Sequence, residues 1–89
     1  MEKNFLIMVI NLRHQSAVNA QKILTEWGCL IKTRLGLHDT VGENCSETGT
    51  LFLELVGEKV KQEEMARKLN VLPGVNAQLI TIEVEKDAA

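Results

Sequence analysis

Residues Asn4 to Leu12 read Asn-Phe-Leu-Ile-Met-Val-Ile-Asn-Leu. Nearly every position is apolar, so alternation selects no inner face, and the bulky, β-branched content predicts a strand covered on both sides. The period then changes. Ser16 is placed to cap a helix, and Ala17, Ala20, Ile23, Leu24 and Trp27 recur at helical spacing until Gly28 stops it. Leu30 to His38 alternates, with Ile31, Thr33, Leu35 and Leu37 on one side and Lys32, Arg34, Gly36 and His38 on the other. That is a strand with one wet face, at a sheet edge, and Gly36 suggests a bulge or a close backbone approach. Asp39 to Gly49 is polar and reads as a long loop. Thr50 to Val56 alternates again, with Leu51, Leu53 and Leu55 opposite Phe52, Glu54 and Val56.

A second helix is expected over about residues 61–70, with Met65, Ala66 and Leu69 inward and Val60 stapled to Met65. Pro73-Gly74 ends it, and Val75 to Val84 forms the last strand. The order strand, helix, strand, strand, helix, strand predicts an α+β domain over residues 1–85, with 86–89 a frayed tail. It is a ferredoxin-like βαββαβ two-layer sandwich: an antiparallel four-stranded sheet with two helices on one face. The first and third strands are then central.

Both helices lie on one side, so half of the first strand's apolar side chains lack a cover from this chain. That half is either Phe5-Ile7-Val9 or Leu6-Met8-Ile10, and Phe52 and Val56 join it. Apolar patches beyond a few hundred Å² mark interfaces. A homodimer or tetramer is therefore expected, through the sheet face or its edge, with Phe52 and Val56 in the contact.

Composition narrows the partners. The chain has 89 residues, 45% hydrophobic and 25% charged, which fits one globular domain with a thin core. A net charge of -2 and only 3% aromatic residues, with no Tyr, remove the positive field and the stacking platforms of nucleic-acid binding. No run approaches the roughly 18 apolar residues of a membrane span. The start, Met1-Glu2-Lys3-Asn4, lacks the basic region and apolar stretch of a secretion signal. The expectation is a cytoplasmic protein with free thiols and no direct contact with nucleic acid or membrane.

Candidate chemistry is sparse. Cys29 and Cys45 are the two cysteines and form no CxxC pair. Cys29, next to Leu30 and Ile31, reads as a buried, inert thiol. His38, Asp39 and Cys45 are capable of holding a metal, but one chain offers fewer ligands than a closed site needs. No metal or other cofactor is expected; a metal-responsive sensor using His38 and Cys45 is the alternative. The connection Asn11-Leu12-Arg13-His14-Gln15-Ser16 places Arg13 and His14 before a helix, where an anion is stabilised, so Arg13 and His14 are candidate anion-binding residues. No assembled nucleophile or acid–base set is visible, and no enzymatic activity is expected.

Three segments carry a family resemblance: Met1-Glu2-Lys3-Asn4-Phe5, Arg34-Leu35-Gly36 with its following polar stretch, and Leu69-Asn70-Val71-Leu72-Pro73-Gly74-Val75. Together they resemble the iron-only hydrogenase system regulator family, an ACT-like group of ferredoxin-fold domains. The resemblance implies a small regulatory or interaction protein associated with that system. ACT domains bind small metabolites at chain interfaces near the first strand–helix loop, which implies an effector near Asn11, Arg13 and His14. Leu37-His38-Asp39 and Cys45 also resemble the nickel-ligating region of nickel-responsive repressors, but Arg34 and Gly36 stand where that pattern has histidines.

Overall fold

The computed structural model describes residues 1–11, 16–41 and 44–85; for 37–41 and 44–47 the description extends to the backbone only. The elements are β1 (Glu2–Asn11), α1 (Ser16–Glu26), a 3-10 turn (Gly28–Leu30), β2 (Ile31–Val41), β3 (Asn44–Leu55), α2 (Lys59–Asn70) and β4 (Val75–Glu83). The strands form one sheet in the order β2-β3-β1-β4, every pair antiparallel. This is the ferredoxin-like arrangement, with β1 and β3 central. The tail expected at 86–89 lies outside the described residues.

The choice left open for β1 is settled by burial. Leu6, Met8 and Ile10 are buried and meet the helices. With them pack Leu53 and Leu55 of β3, Ala77 of β4, Ala20 and Leu24 of α1, and Met65, Ala66 and Leu69 of α2. Phe5, Ile7 and Val9 point away from both helices. The α1 stripe is as its spacing predicts: Ala17, Ile23 and Trp27 are partly buried against the core. Lys68 of α2 sits 5.6 Å from the Trp27 ring centroid, a cation–π contact joining the helices.

Four local expectations need correction. Residues 39–41 and 44–49 are strand rather than loop, because β2 runs to Val41 and β3 starts at Asn44. Backbone ladder bonds carry a two-stranded ribbon without apolar alternation, so polar residues do not exclude a strand. Second, β2 does not keep one phase. Ile31 pairs with Leu55 but Thr33 pairs with Glu54, so Lys32 is an extra residue and the strand bulges. Beyond it, Arg34 lies on the helix side, where it donates to Gln21 Oε1 at 2.6 Å, and Thr33 and Leu35 lie on the open face. Gly36 is not the cause: a Cβ there meets nothing within 4 Å.

Third, α2 starts two residues earlier than its apolar spacing indicates. Glu58 holds the cap position without a side-chain bond, and Val60 is 71% exposed, so no staple forms with Met65. Gln62 is drawn into the core instead, fully buried. Its Nε2 donates to Gly57 O at 3.2 Å, and its Oε1 has no partner. Fourth, Cys29 is exposed rather than buried, because the turn Gly28–Leu30 directs only Leu30 inward.

At its other end, α2 is tied to the edge strand. Asn70 Nδ2 donates to Ala77 O at 2.8 Å, and Ala77 N–H donates to Asn70 Oδ1 at 2.7 Å. Across the sheet, Lys59 of α2 donates to Asn4 Oδ1 at 3.0 Å and to the Thr81 hydroxyl, and lies 3.6 Å from the Glu2 carboxylate.

Candidate functional site

The Leu-Pro-Gly-Val sequence builds a tight turn after α2. Val75 N–H donates to Leu72 O at 3.2 Å, with Pro73 and Gly74 between them and Gly74 at φ 74°. This is a type II turn: proline presets the first central φ, and the second is positive, which glycine alone adopts without cost. Two neighbouring carbonyls of the turn accept bonds from the far end of the sequence. Asn11 N–H donates to Gly74 O at 2.8 Å, and the Ser16 hydroxyl donates to Pro73 O at 2.6 Å. Ser16 is only 3% exposed. Read as a helix cap from sequence, it opens α1 as its first residue and uses its proton to dock the helix on the turn.

The chain between these anchors is residues 12–15. Of the three candidate effector residues, Asn11 is at the end of β1, half-buried, and Arg13 and His14 lie outside the described residues. Asn11 and Ser16, the described residues on either side of them, bond to the same turn.

The same end of the sheet carries the ribbon. His38 pairs with Gly49, Gly49 with Ile10 and Ile10 with Val75, so His38 occupies a row across all four strands. Asn11 pairs with Thr48, and β3 continues outward from there through Cys45, which pairs with Thr40. The topology therefore gathers Asn11, Ser16, the Pro73-Gly74 turn and the backbone of His38 and Cys45 at one end of the molecule. Side chains of His38, Asp39 and Cys45 lie outside the described residues. Among the described residues, no group of three or more His, Cys, Asp or Glu side chains is arranged to hold a metal.

A second surface is the open sheet face. Its rows are read from the strand register: Gln78–Ile7–Phe52–Leu35, then Ile80–Phe5–Glu54–Thr33, then Asn76–Val9–Thr50. Phe5, Ile7, Phe52, Ile80 and Ile82 line a shallow apolar depression of about 240 Å³. Phe52 is 39% exposed, and Val56, next in its alternation, 41%. Glu54 is the acid on this face, with Lys3 Nζ at 3.6 Å and Lys32 Nζ at 3.8 Å from its carboxylate. These are loose surface pairs that contribute little to stability.

Sequence reasoning missed the anchoring roles of Ser16 and of the Pro73 and Gly74 carbonyls. The Pro-Gly pair signals a turn, but nothing local shows which distant groups its carbonyls receive. The charges Lys3, Lys32 and Glu54 sit on the open face and the Arg34 guanidinium does not; only the bulge at Lys32 makes that division.

No family model and no curated protein matches the chain. Solved structures do. The uncharacterized protein TM1266 from Thermotoga maritima is similar over 93% of this chain and 100% of its own, with TM-score 0.79 and 19% identity. CPII, a nitrogen regulatory PII-like protein from Thiomonas intermedia solved with ADP, AMP and bicarbonate, is similar over 98% of this chain and 97% of its own, with TM-score 0.59 and 12% identity. A dinuclear metal binding peptidase from Bacillus subtilis matches 90% of this chain with a quarter of its own length (25%), at TM-score 0.53 and 12% identity. At these identities the likeness is one of fold.

Proposed function

We propose that this chain is a small, non-enzymatic, cytoplasmic regulatory domain that binds a small anionic effector and works as a homo-oligomer. The observation that carries this reading is the double anchoring of Asn11 and Ser16 to the Pro73-Gly74 turn. The residues on either side of Arg13 and His14 are bonded to one turn, and fixing them in advance lowers the ordering penalty of binding. In sequence Arg13 and His14 come just before α1, and a helix N-terminus favours an anion. Support also comes from the shared fold of CPII, which is described with ADP, AMP and bicarbonate, or with acetate. The resemblance to iron-only hydrogenase system regulators gives the physiological setting we propose, which predicts that the gene lies among hydrogenase maturation genes.

The test is thermal unfolding with ADP, AMP, bicarbonate and acetate, each added separately. A ligand present at about 100 times its Kd stabilises the folded state by about 2.7 kcal/mol. For a domain of this size that raises Tm by roughly 10 °C or more. Arg13→Ala and His14→Ala should each reduce the shift. A chain whose Tm is unmoved by all four at millimolar concentration would overturn the effector reading.

A further inference from the structure

We propose that the open face of the sheet, centred on Phe52, is covered by the same face of a second copy of this chain. This rests on the self-association in the reading above and not on the effector. Among the described residues, six side chains on this face are at least 36% exposed: Val9, Leu35, Phe52, Val56, Ile80 and Ile82. Their exposed fractions amount to roughly 450 Å² of apolar surface, in the range where patches on soluble proteins are functional. Interfaces are about 60% apolar, so a patch of this size belongs to a contact of roughly 750 Å² per copy. A standard stable interface buries about 800 Å² per partner.

Charge and edge geometry favour the same occupant. Among the described residues the acid on the face is Glu54, which already has Lys3 and Lys32 beside it, so covering the face does not strand its carboxylate alone. The lysine stems can lie flat and keep their ammonium groups at the rim. The two sheet edges are poorer surfaces for a second copy. The β2 edge breaks register between Ile31 and Thr33 and again between His38 and Thr40. The β4 edge has Ala77 already bonded to the Asn70 amide. Sheet-on-sheet packing needs neither edge and interleaves side chains across about 10 Å.

The full chain should run by light scattering at micromolar concentration with at least twice the chain mass. Phe52→Lys and Ile80→Lys each place a charge in the covered face, and each should raise the dissociation constant more than about 100-fold, giving the single-chain mass. Both residues are partly exposed, so the folded monomer is retained, and circular dichroism checks this. Val18→Lys on the outer surface of α1, where Val18 is 48% exposed, should leave the mass unchanged. A wild-type chain that stays monomeric would overturn both the face and the self-association; a foreign partner or an apolar ligand as the true cover gives that result. An oligomer untouched by Phe52→Lys and Ile80→Lys would overturn the face alone.

Discussion

Replacing Gln62 with Leu should stabilise this domain, although it deletes a hydrogen bond. Gln62 is fully buried, with Nε2 bonded to Gly57 O at 3.2 Å and Oε1 unpartnered. The bond contributes about 1 kcal/mol net, whereas a buried acceptor with no partner costs about 1–3 kcal/mol. Leucine removes both, fits a similar volume and is as good a helix former. The balance is a gain of about 1 kcal/mol, which for 60–100 residues raises Tm by about 4–8 °C. Urea unfolding at fixed protein concentration measures it, because the proposed assembly would make apparent stability concentration-dependent. Gln62→Ala should instead lose about 2–4 kcal/mol, since a cavity replaces the side chain. Gln62→Glu adds a sign test. Burial pushes a carboxyl upward, so this variant's deficit should be small in acid and grow as pH rises above the unfolded value of about 4.3. A Leu variant less stable than wild type by 1 kcal/mol or more would show that Oε1 is held by an ordered water, and would refute the reasoning.

Other outcomes follow from single contacts. Gly57→Ala should cost about 1–3 kcal/mol by denaturant unfolding: its φ is 91°, and the new Cβ would meet Leu30 Cδ2 at 2.8 Å. Ser16→Ala leaves the Pro73 carbonyl without its hydroxyl donor and should lower stability by about 1–2 kcal/mol by the same unfolding measurement. Asn70→Ala removes both bonds to Ala77 and should cost about 1–3 kcal/mol by the same measurement. Protein purified without chelator should carry well under one metal per chain by elemental analysis; a stoichiometric metal lost with His38→Ala or Cys45→Ser would make the sensor reading the better one.

Where the sequence could be read, burial decided local structure. The unbroken apolar run of β1 marks it as central, and the stripes Ala20-Leu24 and Met65-Ala66-Leu69 mark the helix faces. The reading fails where something nonlocal intervenes. One inserted residue at Lys32 moves Leu35 to the open face and Arg34 to the helices, and alternation alone carries no sign of it. Residues 39–41 and 44–49 are polar because they pair as a ribbon rather than packing in the core, so hydropathy reads them as a loop. Gln62 replaces an apolar residue in the inner stripe of α2 and is invisible to any rule that sends polar groups outward. At the candidate site, Arg13 and His14 stand out by chemistry, but their supports, Ser16 and the Pro73-Gly74 turn, join only through the fold.

That junction also has a kinetic meaning. The Ser16–Pro73 bond spans 57 positions of an 89-residue chain, and Asn11 reaches even further to Gly74. Contacts so distant in sequence require large loops to close and form late relative to helices and hairpins. The two bonds that join Asn11 and Ser16 to the Pro73-Gly74 turn need both crossovers in place, so neither half of the molecule can form them alone. A partly folded chain, or one clipped before Pro73, would retain Asn11 and Ser16 yet lack the carbonyls that receive them. Under the proposed function, competence to bind and completed folding would be acquired in the same step.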